Sequence, residues 1–370
     1  MKKIIIDARG YSGTTGRYTR KLIEYLEVLE AGQTDREYVV LLFPSEMGKY
    51  EPKNAAFTKM AADFAHYSLV PEQIKFWWFL HKLHSDLVHF TMPQQPIFYR
   101  GKSVTTMHDL TLLNVYPGNR NKFLYKIKQF LGGFVFWFIA ITNKHIITPS
   151  NATKEAYLKF LHSERFGKKM TVTYESADPG NAIPTPYLPI VDRSYIMYVG
   201  QQSNYKNLGR LVQAHQRLLA THPSLQLVLV GKIAHSGKNL QKWVEQKKYK
   251  SVVFTGFADD HQLAWLYQNC QAYVFPSLME GFGLPGLEAM ANGAPVVSSN
   301  ATSLPEVYGE AAHYFNPTDV NDMTRAISDV LDDKALRTKL IKNGYAQLKK
   351  YSWRHMAEQT LAVYIQSLQD

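Results

Sequence analysis

Two glutamates bracket a glycine-rich turn in the second half of the chain, Glu280-Gly-Phe-Gly-Leu-Pro-Gly-Leu-Glu288. Paired carboxylates make a hydrolase only at the right separation. If the interval were helical throughout, Glu280 and Glu288 would stand about 12 Å apart, beyond the roughly 5–9.5 Å of paired glycosidase acids. They therefore take separate tasks, one near a reacting centre and one reaching a hydroxyl deeper in a cleft. Gly281 and Gly283 remove side chains where the backbone must come close to a ligand. Pro285 marks a helix start, so the amides from Gly281 and Phe282 through Leu284 face an anion with the positive end of a helix dipole behind them. A phosphate fits that place.

Other candidates lie on loops that follow strand-like runs. Gly200-Gln-Gln-Ser-Asn-Tyr-Lys206 joins the apolar Tyr195–Val199 to a helical stretch, so Lys206 can reach a diphosphate held at the central turn. His108 follows Ser103–Met107, at the C-terminal strand edge where parallel α/β sheets place ligands. Gly10, Gly13 and Gly16 separate the strand Lys3–Asp7 from a helix over Thr15–Leu29. Ser12 or Thr15 stands where a dinucleotide fingerprint needs its second glycine. Tyr38–Phe43 runs into Pro44 without a ribose-binding acid, which argues against an oxidoreductase. There is no Asp-x-Asp and no His/Cys/Asp cluster at ligand spacing, so neither metal nor cofactor is implied.

The run from Glu280 through Leu287-Glu288-Ala-Met-Ala-Asn-Gly-Ala-Pro-Val-Val resembles the signature of retaining nucleotide-sugar glycosyltransferases of family 4. The resemblance implies the GT-B fold, with two Rossmann-like parallel-sheet domains facing across a cleft. It implies hexosyl transfer, of mannose or glucose type, from a nucleoside-diphosphate sugar to a glycan or lipid-linked acceptor. Catalysis falls to His108, Glu280 and Lys206, with His108 and Glu280 beside the donor sugar. Gly281, Phe282, Gly283 and Leu284 hold the diphosphate and Glu288 the ribose. Gly13 and Gly16, the latter opening Gly16-Arg17-Tyr18-Thr19-Arg20, border the pyrophosphate from the opposite domain. Gly200, and Gly256 with Phe257 in a base-contacting turn, complete the donor site. One departure stands out: the family's Arg, just after the glycine or just before the Lys, is replaced by Gln201 and Tyr205, which leaves Lys206 as the main local cation.

The elements that must position these residues follow from periodicity and punctuation. The 370 residues are enough for two domains, and 45% apolar with 20% charged is a globular composition. Pro179, Pro184, Pro186 and Pro189 are too dense for a regular element. The expected division is an acceptor domain over 1–183, a linker over 184–193, a donor domain over 194–351 and a C-terminal helix over 352–370, which in this family returns to the first domain. Cys270 is the one cysteine, which suits a reducing, cytoplasmic compartment. The start of the chain does not read as a signal peptide, and the longest apolar run, Phe134–Ile141, is too short for a membrane span.

The net charge of +11 is carried mainly by residues 1–185, and no acid occurs between Asp109 and Glu155. Arg120, Lys122 and Lys126 fall in that interval, around Phe123, Ile127, Phe130, Leu131 and Phe134 at helical spacing. That pattern fits either a core-facing helix with a solvated back or a basic helix that meets a lipid-linked acceptor or the inner face of an anionic membrane. No RNA- or DNA-reading motif accompanies the charge, so a nucleic-acid partner is not expected.

Overall fold

The computed structural model describes residues 1–13, 16–65, 70–114, 122–178, 182–233 and 235–369, with the backbone alone at 70, 114, 122–124, 235 and 236. The chain divides into one unit of Met1–Leu113, Lys126–Glu175 and Ser352–Asp370, and a second of Asn114–Tyr125 and Ser176–Tyr351.

The first unit runs β1 (Lys2–Asp7), α1 (Gly16–Leu29), β2 (Arg36–Leu42), β3 (Phe57–Ala61), α2 (Val70–Lys82), β4 (Leu87–Phe90), β5 (Ser103–Thr106), α3 (Thr111–Asn114), α4 (Lys122–Thr142), β6 (His145–Thr148), α5 (Asn151–Leu161) and β7 (Met170–Val172). Its sheet has the order β3-β2-β1-β4-β5-β6-β7 and is parallel throughout. Ile5 lies opposite Val39 on one side and Val88 on the other. Helices cover both faces, so β1 and β2 carry continuous apolar runs rather than alternating ones; Ile4, Ile5, Ile6, Leu87 and Val88 are fully buried, and β4 and β5 also bury His89, Ser103, Thr105 and Thr106.

The second unit runs β8 (Tyr195–Val199), α6 (Leu208–Leu218), β9 (Gln226–Val230), α7 (His235–Gln246), β10 (Val252–Gly256), α8 (Asp260–Asn269), β11 (Ala272–Phe275), α9 (Leu284–Ala291), β12 (Val296–Ser299), α10 (Leu304–Tyr308), β13 (Ala312–Phe315), α11 (Val320–Asp332) and α12 (Lys334–Leu348). The order β10-β9-β8-β11-β12-β13 is again parallel. The last helix, α13 (Trp353–Gln369), belongs to the first unit, where it packs against α1. The Tyr364 hydroxyl of α13 lies 2.5 Å from His89 Nδ1. Two doubly wound parallel sheets, each with the Rossmann strand order, are the fold class the sequence implied. The winding reverses between β1 and β4 in one sheet and between β8 and β11 in the other, and ligands bind at such switch points.

One helix differs in detail from its periodicity. On α4 the core takes Phe136, Ile139 and Ala140, packed with Tyr157 and Leu161 of α5, while Ile127, Phe130, Leu131 and Phe134 are exposed. The core-facing reading of those four residues is therefore overturned. A helix apolar on nearly every side cannot declare its buried face by period alone. On α2, Phe76 and Leu80 are buried and Trp78 is half exposed. Strand β3 was not legible, because an edge strand reading Phe-Thr-Lys-Met-Ala carries neither alternation nor a long apolar run.

Candidate functional site

In the second unit the chemistry gathers at the switch point. Lys206 lies on the loop after β8 and Glu280 on the loop after β11, and the strand order brings them together: Lys206 Nζ is 2.6 Å from Glu280 Oε1. Both side chains are about nine-tenths buried. The ammonium also stands over the rings of Tyr205 and Phe275, at 4.8 and 5.3 Å from their centroids. Burial by itself would lower the Lys206 pKa, but the Glu280 carboxylate outweighs it and the net shift is upward. Lys206 is therefore a fixed positive charge at neutral pH.

Asn207 explains why the Lys206 turn sits where it does. This residue adopts a left-handed conformation, φ 61°, between a 3₁₀ turn and α6, a region asparagine tolerates better than most side chains. Its Nδ2 donates to the carbonyls of Pro276 (3.0 Å) and Pro317 (2.7 Å), tying the turn to the ends of β11 and β13. The Leu278 amide donates to Tyr205 O at 2.8 Å. Arg210 is committed nearby, donating to Asn207 Oδ1 at 2.9 Å. Gln201 is exposed.

The central turn is braced from beneath. Thr302 Oγ1 accepts from the Glu280 amide and donates to the Glu280 carbonyl, at 2.9 and 3.0 Å. Ser303 Oγ donates to the same carbonyl and to that of Phe282. The buried Tyr308 hydroxyl donates to Gly283 O at 2.5 Å. Gly283 caps α9 with φ 104°, and a Cβ there would lie 2.6 Å from both Leu304 and the Tyr308 hydroxyl. A Cβ on Gly286 would lie 2.3 Å from the Tyr308 ring. Glycine is thus required twice against one tyrosine. Phe282 is buried edge-on against Tyr351, at 5.6 Å, and Gly281, Leu284 and Glu288 are half-buried. At the head of α9 Pro285 has no N–H and the Gly286 amide donates to Gly283 O at 3.1 Å, so the Leu284 amide and the helix dipole are what the turn presents to an anion. Gly200 ends β8 with φ 142° and Gly256 ends β10 with φ 69°. Phe257 is largely exposed, with Lys232 5.9 Å from its ring.

The first unit holds its own cluster. His108 follows β5 with both ring nitrogens engaged: Nε2 donates to Thr91 O at 2.9 Å, and Nδ1 faces Glu175 Oε1 at 3.4 Å. The Tyr18 ring stands edge-on to it at 4.8 Å. Tyr18 and His89 both bond Thr106 Oγ1, at 2.9 and 2.8 Å. Burial pulls the His108 pKa down, but Glu175, helped by Thr91 O and Asp109, reverses this and leaves it above the ordinary 6.5. Burial and the His108 charge bring His89 down to about 3. Glu175, just past β7, carries no sequence signal of this role. Gly13 and Gly16 form successive turns, the Gly13 amide donating to Gly10 O and the Gly16 amide to Gly13 O. Arg120 lies outside the described residues, Lys122 opens α4, and Lys126 is exposed.

A raised pKa for His108 has a stability consequence. Its contribution is full below the unfolded value near 6.5 and is lost as pH rises through the higher folded value. Glu175→Gln is expected to bring the His108 titration below 6.5, because burial then dominates, and to remove that pH-dependent increment. Nuclear magnetic resonance of the His108 imidazole in both proteins checks it; unchanged midpoints would refute the pairing.

Comparison with known proteins places this geometry in context. A family model described as glycosyl transferases group 1 matches residues 185–347. The O-antigen chain mannosyltransferase B of Escherichia coli is 30% identical over 275 residues, 71% of this chain and 70% of that protein. The serotype-specific mannosyltransferase WbdA of Escherichia coli is 31% identical over 300 residues, 77% of this chain but 36% of that longer protein. Among solved structures, sucrose-phosphate synthase from Thermosynechococcus elongatus superposes with a TM-score of 0.79 over 99% of each chain at 20% identity, a likeness of fold alone.

Proposed function

The chain belongs to the glycosyl transferases group 1 family, and from that premise we propose that it moves a mannosyl group from a nucleoside-diphosphate mannose to a hydroxyl of a growing surface glycan, with retention at the anomeric carbon. The observation that carries this reading is the buried Lys206–Glu280 pair beside the first turn of α9. As the bond from C1 to the diphosphate oxygen breaks, negative charge grows on the leaving group. The Lys206 ammonium, the Leu284 amide and the dipole of α9 are preorganised for that charge in a site shielded from water. The entering diphosphate competes for Lys206 and frees Glu280 to accept from a sugar hydroxyl. His108 orients the sugar, and the departing phosphate takes the acceptor's proton. Glu288 holds the ribose. No divalent ion takes part. The mannosyltransferase relatives support mannose as the sugar.

Thermal unfolding with UDP, GDP and their sugars tests the donor. A bound nucleotide at 100 times its Kd adds about 2.7 kcal/mol of stability. GDP and GDP-mannose are expected to raise the melting temperature, and turnover of GDP-mannose is expected to survive excess EDTA. No shift with any nucleotide, together with no release of nucleoside diphosphate, would overturn the reading.

A further inference from the structure

We infer that the exposed face of α4 seats in the headgroup region of an anionic lipid bilayer. Ile127, Phe130, Leu131, Phe134, Trp137 and Ile141 are all exposed, Phe130 by 76% and Trp137 by 47%. At 3.6 residues per turn they fall on one arc of roughly 120°, opposite the buried Phe136, Ile139 and Ala140. The arc cannot turn inward. The back of the helix is held against its core where Gly132 and Gly133 admit the side chains of Leu112 and Phe160; a Cβ on Gly132 would lie 2.7 Å from Leu112. An apolar surface of this extent marks an interaction site rather than ordinary solvent-facing surface.

Charge chooses the occupant. Lys126 and Lys128 are exposed and flank the arc on its two sides, and Arg100 stands 4.6 Å over the ring of Phe138 near its far end. No acid occurs from Leu110 to Lys154. Aromatic and aliphatic side chains on one arc with cations at its margins are what an interfacial helix presents to anionic headgroups. A second protein surface would have to match a face with no carboxylate on it. Among the described residues no helix is long and apolar enough to cross a membrane, so the helix lies on the bilayer and not through it. This placement is independent of the transfer reaction, and its test reads binding, not turnover.

The full chain is floated with phosphatidylcholine vesicles, with and without about one third phosphatidylglycerol. Binding to the anionic vesicles, absent or far weaker with the neutral ones and weakened by salt, is the expected result. Phe130→Ser with Trp137→Ser, both on the exposed arc, is expected to keep the melting temperature and to weaken vesicle binding by about tenfold or more. Three outcomes would overturn the inference: no binding by the unaltered protein, equal binding by the double variant, or a concentration-dependent dimer abolished by the double variant without vesicle binding, which would make a second copy the occupant.

Discussion

Lys206→Met is expected to lower turnover of the nucleotide sugar by about 10²–10³-fold, the cost of removing one preorganised donor from a developing anion. The same substitution strands the Glu280 carboxylate, whose side chain is 12% exposed and whose Oε1 lies 2.6 Å from the lost ammonium. Breaking a buried pair by removing one partner costs about 3–5 kcal/mol. Stability and rate can be separated by a double variant. Lys206→Met with Glu280→Gln leaves no uncompensated charge, so it is expected to recover much of the lost stability while remaining inactive. A urea midpoint for the double variant as low as that of Lys206→Met alone would contradict the pairing. Near-normal turnover in Lys206→Met and in Glu280→Ala would remove both residues from the mechanism.

Gly286→Ala is expected to destabilise the second unit by about 3 kcal/mol, at the upper end of overpacking penalties. The added Cβ falls 2.3 Å from Tyr308, a ring enclosed on all sides whose hydroxyl holds the Gly283 carbonyl. Relief requires Tyr308 to move, which releases the central turn as well. Gly283→Ala meets the Tyr308 hydroxyl at 2.6 Å and adds the strain of a side chain at φ 104°. Because both changes displace one tyrosine, the double variant is expected to lose less than the sum of the two, a coupling that urea unfolding of the four proteins measures. Strict additivity would show that Tyr308 is not the shared obstacle. Turnover is expected to fall with Gly286→Ala even where the protein remains folded, since Glu280 and the head of α9 are carried by the displaced loop.

Much of this protein was legible before any coordinate. Turn chemistry and strand-to-helix order are local, so Gly281, Gly283 and Pro285 announced a loop opening a helix, and Lys206 announced a cation on the loop after a strand. Apolar runs such as Lys3–Asp7 and Tyr195–Val199 announced individual strands, while the two parallel sheets were implied by the family resemblance that Glu280–Glu288 carries. Tertiary structure alone decided which residues meet. Lys206 finds Glu280 because the sheet order sets β8 beside β11. His108 finds Glu175 because β7 closes the first sheet two places from β5. Tyr308 reaches Gly283 from a helix beyond the next strand. Strand order and register join residues far apart in sequence, and hydrophobic runs of similar strength do not specify which neighbours pair. The buried side of α4 was undetermined for a related reason: with apolar residues around nearly its whole circumference, the fit of Gly132 and Gly133 against Leu112 and Phe160 selects the face, and packing of that kind exists only once the fold has formed.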